Sequence, residues 1–199
     1  MAKMRIEGKE HPIGAVFSKQ FSFNIPLYSL LLKAIEDKDD LYADKSPLQL
    51  TQLEQVEIKN SLDDLLYLVH QNPRNYVMRR LDAALSDGEA QYDLKNFSIE
   101  HVLPQTPKAD SQWCKDFNEE QRLRWTNRLG NLVLLSRKKN SQAQNYEFDV
   151  KKESYFKVKS VSPFALTTQV LTEKSWTPSV VEALHGVRLK VLCDLWQLK

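Results

Sequence analysis

The four consecutive apolar residues Leu132-Val133-Leu134-Leu135, entered through Gly130-Asn131 and left at Ser136, constrain this chain more than any other feature. A run that short cannot cross a bilayer, and it offers no polar face to water, so it reads as a strand buried on both sides. A buried strand needs a partner for its backbone groups. The segment Phe97 to Leu103 is strand-like as well and ends at Pro104, which cannot continue a ladder. A polar helix expected from about Ser141 to Phe156 follows the second strand, and two strands then a helix make a small ββα unit.

Most of the remaining sequence has helical spacing. Leu31, Leu32 and Ile35 suit a helix over 30–42, and Ser46-Pro47 looks like an N-cap and first-turn proline for the next one. From Leu48 to His70 the apolar positions predict two helices with a break near Asn60-Ser61. Tyr76, Val77, Leu81 and Leu85 mark another, stopped by Ser86-Asp87-Gly88. A helix over about Asn118 to Arg128 leads into the buried strand, while Pro163 to Leu171 and Pro178 to Leu198 read as closing helices. Residues Ile13 to Tyr28 alternate loosely around Pro26 and read as extended. The expected fold class is α+β, predominantly helical with one small ββα core.

Bulk properties narrow the function. With 199 residues and 42% apolar content the chain can build a sizeable core. Its 28 basic and 26 acidic side chains give a net charge of +2, so any nucleic-acid site has to be a local patch. Cys114 and Cys193 form no CxxC pair, which excludes a thiolate zinc site of the usual kind. No stretch approaches the ~20 apolar residues of a membrane span, and the start lacks a signal-peptide core, so a reduced cytoplasmic setting without membrane contact is expected.

Chemistry concentrates at the strand ends. Glu100 and His101 close the first strand, where successive side chains point to opposite faces, so both can reach one phosphate only where the strand stops. A carboxylate beside a histidine, with carboxamides further along, supplies a cation ligand, a general base and groups to hold them, which is what phosphodiester hydrolysis needs. Asn131 reads either as a turn residue or as a carboxamide that fixes the histidine ring. Asn140 reads either as a helix N-cap or as a metal ligand, in competition with Asn145, because five residues of helix turn the two about 140° apart. Arg137, Lys138 and Lys139 between strand and helix, with Lys151 and Lys152 on the helix, are the residues expected to meet a nucleic-acid backbone, against the plain alternative of a solvated face. Trp113, Trp125, Tyr146 and Tyr155 read as packing residues rather than base-stacking platforms. A Cys-His-Asn hydrolase using Cys114 or Cys193 has no local motif to support it.

Taken together, Ile99-Glu100-His101-Val102-Leu103-Pro104-Gln105, Arg128-Leu129-Gly130-Asn131-Leu132-Val133-Leu134-Leu135-Ser136, Asn140-Ser141 and Asn145 resemble the C-terminal HNH nuclease domain of GmrSD-type, modification-dependent restriction proteins, over roughly Asn75 to Trp196. The HNH domain of the CRISPR effector nucleases is similar over the same elements. The resemblance implies a ββα-metal fold and DNA cleavage with a divalent cation, magnesium or manganese. It implies His101 as general base, Asn131 as the residue orienting it, and Glu100 and Asn140 as metal ligands, with Asn145 the weaker candidate. Ile13 to Ser18 and Phe21 to Tyr28 are similar to the opening of the ParB-like domain that precedes this nuclease in relatives, but no Asp-Gly-Gln-Gln-Arg signature follows, so no nucleotide cofactor is expected.

The organisation that follows is a ParB-like remnant over 1–28, a helical part over 29–90 packing on the nuclease, and an HNH domain over 91–199 with its core at about 94–156. DNA is the expected partner, and a separate recognition or regulatory subunit fits the absence of a nucleotide-binding half. The rival reading is a catalytically inactive nucleic-acid-binding or partner-binding remnant of such a restriction and phage-defence system.

Overall fold

The computed structural model describes residues 5–6, 9–10, 32–39, 50–86, 97–137, 145–156 and 162–198. In chain order come a two-residue ladder of β1 (Arg5–Ile6) with β2 (Lys9–Glu10), a helical run at 32–36, α1 (Gln52–Asp63), a 3-10 turn at Leu66–Leu68, and α2 (Gln71–Ala84). Then follow β3 (Phe97–His101), α3 (Gln112–Asp116), α4 (Glu119–Trp125), a 3-10 turn at Leu129–Asn131, and β4 (Leu132–Ser136). The chain closes with α5 (Phe148–Val150), which passes into a π turn at Lys151–Phe156, then α6 (Ala165–Thr172) and α7 (Pro178–Leu195). The fold is mostly helical with a small two-stranded sheet, an α+β arrangement.

β3 and β4 pair antiparallel with Ile99 opposite Leu134, Glu100 opposite Val133 and His101 opposite Leu132. Alternation along β4 splits its apolar run between two cores. Leu132 and Leu134 join Phe97, Ile99, Ile58, Leu62, Val77, Met78 and Leu81, which come from β3 and the α1–α2 half. Val133 and Leu135 join Trp113, Phe117, Trp125, Phe148, Phe156, Val170 and Trp176 on the other side. Covering on both faces is why these positions are uniformly apolar. Trp113 and Trp125 are packing residues, as their sequence context predicts, whereas Tyr146 is 45% exposed.

Several boundaries differ from the sequence expectation. The helix expected to break near Asn60-Ser61 runs on to Asp63, because the Ser61 hydroxyl donates to the Glu57 carbonyl at 2.8 Å inside the helix instead of capping a new one. Its start is a capping box, Thr51 accepting from the Glu54 N–H while the Glu54 carboxylate accepts from Thr51 N. Between the strands the polar stretch holds an unexpected short helix, α3. The helix expected from Ser141 begins, among the described residues, at Phe148, since Trp113 Nε1 donates to the Tyr146 carbonyl at 3.1 Å and holds that stretch out of helical conformation. The 140° argument between Asn140 and Asn145 therefore does not apply: Asn145 is not on a helix. Residues 13–28, on which the ParB-like reading rests, lie outside the described residues, as do Lys138, Lys139 and Asn140. Among the described residues no helix is long and apolar enough to cross a membrane.

Candidate functional site

The end of β3 is held by a dense hydrogen-bonded corner. Asn131, wholly buried, donates through Nδ2 to the Leu103 and Thr126 carbonyls, both at 2.9 Å, and accepts through Oδ1 from Leu103 N at 2.8 Å and Trp176 Nε1 at 3.1 Å. Both its donors and both lone pairs are used. The Val102 N–H donates to the Asn131 carbonyl at 3.0 Å. Asn131 thus fixes the backbone just past His101 and does not touch the imidazole. The ring-orienting hydrogen bond expected of it comes from another residue, because Asn131 is committed to main-chain groups and an indole.

That other residue is Asn127. His101 Nε2 lies 3.1 Å from Asn127 Oδ1, which also accepts from Gln105 Nε2 at 3.3 Å. A carboxamide oxygen can only accept, so Nε2 carries the ring proton and the lone pair resides on Nδ1. The ring of Tyr67 meets the imidazole edge-on, with centroids 4.1 Å apart. Burial pushes the His101 pKa down to about 4, against the hydrogen bond it donates to Asn127, and the nearby Lys151 and Arg74 cations add to the lowering. At neutral pH the imidazole is uncharged and able to accept a proton.

Glu100, on the opposite face of β3, meets Lys151. The Lys151 ammonium is fully buried and sits 2.8 Å from Glu100 Oε1, 2.7 Å from the His101 carbonyl and 3.1 Å from the Val102 carbonyl. All three of its protons are placed. Burial pushes the carboxyl pKa up and the ammonium pKa down, each opposed by the other's charge. Lys151, expected to reach a nucleic-acid backbone, is instead an internal ligand of the strand end, since its stem points into the core from the π turn. Lys152 donates to the Glu173 carbonyl and lies over the Phe148 ring. Arg137 is exposed just past β4. Two further arginines, Arg124 and Arg128, pair with Glu182 at 3.3 Å and Asp63 at 3.7 Å.

Glu100 and His101 nevertheless line one cleft where the strand stops. Its walls are Tyr67, Ile99, Glu100, His101, Pro104, Gln105, Thr106 and Asn145, around about 270 Å³ of space. Asn145 is exposed on it. Among the described residues no group of three His, Cys, Asp or Glu side chains could hold a metal ion. The oxygen donors on the cleft, a carboxylate and two carboxamides, suit a hard cation that keeps much of its water and uses substrate phosphate oxygens as further ligands.

Tyr67, Arg74, Asn127 and Lys151 carry contacts at this site that the sequence did not announce. Tyr67 and Arg74 come from the helical half, more than twenty residues before the motif, and nothing in their spacing links them to it. Asn127 sits in a polar stretch and has no local signal. Gln105 belongs to the motif itself, where the carboxamide after Pro104 was a visible cue.

No curated protein matches the chain. Residues 52–187, more than half of its length and spanning α1 through most of α7, match the family of GmrSD restriction endonucleases, C-terminal domain, and the chain belongs to that family.

Proposed function

We propose that the chain is a metal-dependent HNH-type endonuclease that hydrolyses phosphodiester bonds in DNA, with β3, β4 and the helical segment from Phe148 as its ββα-metal core. The observation that carries this reading is one neutral imidazole, its Nε2 committed to Asn127, facing a cleft that also holds Glu100 and Asn145. In this reading His101 Nδ1 takes a proton from water as the water oxygen attacks phosphorus and the bond to the leaving oxygen breaks. The imidazolium that forms keeps its hydrogen bond to Asn127 Oδ1. A phosphodiester entering the cleft adds negative charge beside the ring and raises its pKa from about 4 towards the range where a base works best. Glu100 with Asn145, or with Asn140 outside the described residues, would hold a magnesium or manganese ion. When bound, that ion supplies Lewis-acid stabilisation of the charge building on the phosphate. Arg137, Lys138 and Lys139 would position the DNA backbone beside the hairpin.

Membership of a family of restriction endonucleases supports DNA as the substrate, and in this reading the activity would serve modification-dependent restriction and phage defence. One observation favours a second reading, a non-catalytic nucleic-acid-binding or partner-binding remnant: the Lys151 ammonium already sits on Glu100 Oε1, where it offsets the charge a metal would use. The same experiment separates the two. Supercoiled plasmid is incubated with the full chain and magnesium or manganese, alongside His101→Ala. Metal-dependent nicking that falls ~10²–10⁴-fold in the variant supports the enzyme. Equal cleavage by both proteins, or none with either metal, sinks it.

A further inference from the structure

Tyr67 is held through both its backbone and its ring. Its N–H donates to the Asn127 carbonyl at 3.0 Å, and its own carbonyl accepts from Arg74 Nη1. The Arg74 guanidinium lies over one side of the phenol ring, 4.1 Å from the centroid, while the His101 imidazole abuts the ring with centroids 4.1 Å apart at 66°. Guanidinium, phenol and imidazole therefore touch in sequence, the cation over the phenol ring and the imidazole edge-on against it. Asn127 closes the circuit, since its backbone carbonyl fixes Tyr67 and its side-chain oxygen fixes His101. An imidazole with a hydrogen bond on Nε2 alone could still pivot about that bond, and an aromatic ring pressed against it removes the freedom.

We infer that Tyr67, clamped by Arg74, is a positioning residue for His101, so that the helical half supplies part of the reactive site and is more than a packing support. The inference rests on the nuclease reading for its kinetic arm only. A base held in one orientation raises kcat and leaves substrate binding alone, so loss of the clamp lowers kcat without changing KM.

The test compares Tyr67→Phe, Tyr67→Leu and Arg74→Met in the full chain. Tyr67→Leu lowers kcat ~10–100-fold with KM unchanged, the size typical of lost support to a functional side chain, and Tyr67→Phe, which keeps the ring, restores most of it. Arg74→Met falls between the two. The second arm needs no activity: 15N-detected imidazole spectra report a single Nε2–H tautomer for His101 in the wild type and a mixture in Tyr67→Leu. A wild type that cleaves nothing overturns the nuclease reading, and the spectra then decide the clamp alone. An unchanged His101 signal in Tyr67→Leu overturns the inference, as does a rise in KM at constant kcat. If Tyr67→Leu does not fold, Arg74→Met carries both readouts, and wild-type kcat and spectra in that variant overturn it.

Discussion

The two sides of the β3–β4 junction use the same kinds of side chain for opposite ends. On one side lies a dry corner: Asn131 with four hydrogen bonds, and the wholly buried Arg188, whose Nη1 donates to the Leu129, Gly130 and Leu132 carbonyls at 2.9 to 3.0 Å. Its Nη2 reaches the Leu166 carbonyl and its Nε the Gln169 side chain, and the Asp82 charge beside it opposes the burial that pushes its pKa down to about 9. On the other side lies the cleft, where His101 keeps Nδ1 uncommitted to the Asn127 contact and Asn145 faces solvent. A buried polar network that is fully satisfied rigidifies, while one left open to a cleft is available for chemistry. The Gly130-Asn131 pair belongs to the first kind and His101 to the second, while Glu100 has a foot in each, its Oε1 on the buried Lys151 and its side chain on the cleft.

Mutations in the dry corner should therefore cost stability first. Arg188→Met removes a donor from the Leu129, Gly130, Leu132 and Leu166 carbonyls and the nearby cation from Asp82, and is expected to lose ~3–5 kcal/mol in denaturant unfolding. Gly130→Ala sets a methyl 2.5 Å from the Val181 carbonyl oxygen and 2.7 Å from His185 Cβ, both on α7. That overlap forces α7 outward, at ~1–3 kcal/mol or more. Wild-type stability in both variants would show that the corner is not a stabilising network at all.

The sharper contrast is Asn131→Ala against His101→Ala. The first takes a partner from both main-chain groups of Leu103, the Thr126 carbonyl and the Trp176 indole, so it is expected to lose ~2–4 kcal/mol, with cleavage lost only as folding is lost. The second removes a buried imidazole and leaves the fold within about 1 kcal/mol, while cleavage falls by orders of magnitude. An Asn131→Ala protein that melts like the wild type yet does not cleave would make Asn131 a direct participant and erase the distinction.

Acid should expose the same boundary. His101 has a folded pKa of about 4 against an ordinary 6.5, so the folded state binds fewer protons than the unfolded chain between those values. Its contribution to stability is complete above pH 6.5 and is lost as pH falls towards 4. His185 shifts in the same direction, chiefly through burial; its Nδ1 accepts from Gly130 N at 3.2 Å and its Nε2 meets Asp63 at 2.7 Å. Glu100, raised by burial, works with the opposite sign at the low end of the window. The unfolding midpoint of the wild type should drop between pH 6.5 and 4, and less steeply in His101→Ala. A midpoint that does not move over that range would contradict both histidine assignments.

How much was readable in advance follows from which interactions are local. The two strands, their pairing and the helix-rich surroundings could be read because hydrophobic period and turn residues are local signals, and the Leu132-to-Leu135 run met burial on both faces as its composition required. The juxtaposition of Glu100 and His101 was legible for the same reason, since a strand that must stop before Pro104 leaves both beside one cleft, although β3 ends at His101 and not at the expected Leu103. Lys151 was misread because a lysine on a helix is ordinarily a surface residue, and only tertiary packing reveals an ammonium surrounded by acceptors. Tyr67 and Asn127 were invisible because their contacts to His101 span 34 and 26 residues of sequence with no periodicity to report them.

The smallest expected effect tests whether Arg124, on α4 ahead of β4, serves DNA or the fold. Arg124 and Glu182 stand 3.3 Å apart with side chains 55% and 62% exposed, and the guanidinium lies 4.7 Å from the Trp125 ring centroid. An exposed pair of this kind is screened by water and salt and contributes at most ~0.5 kcal/mol. Arg124→Gln should thus leave the unfolding midpoint nearly unchanged. Its charge is partly neutralised by Glu182, so DNA affinity at low salt should also hold, while Arg137→Gln, which removes an exposed cation beside the hairpin, weakens binding and flattens its salt dependence by about one phosphate contact. Equal weakening by both substitutions would extend the DNA-facing surface around α4; weakening by Arg124→Gln alone would move it off the β4 end altogether.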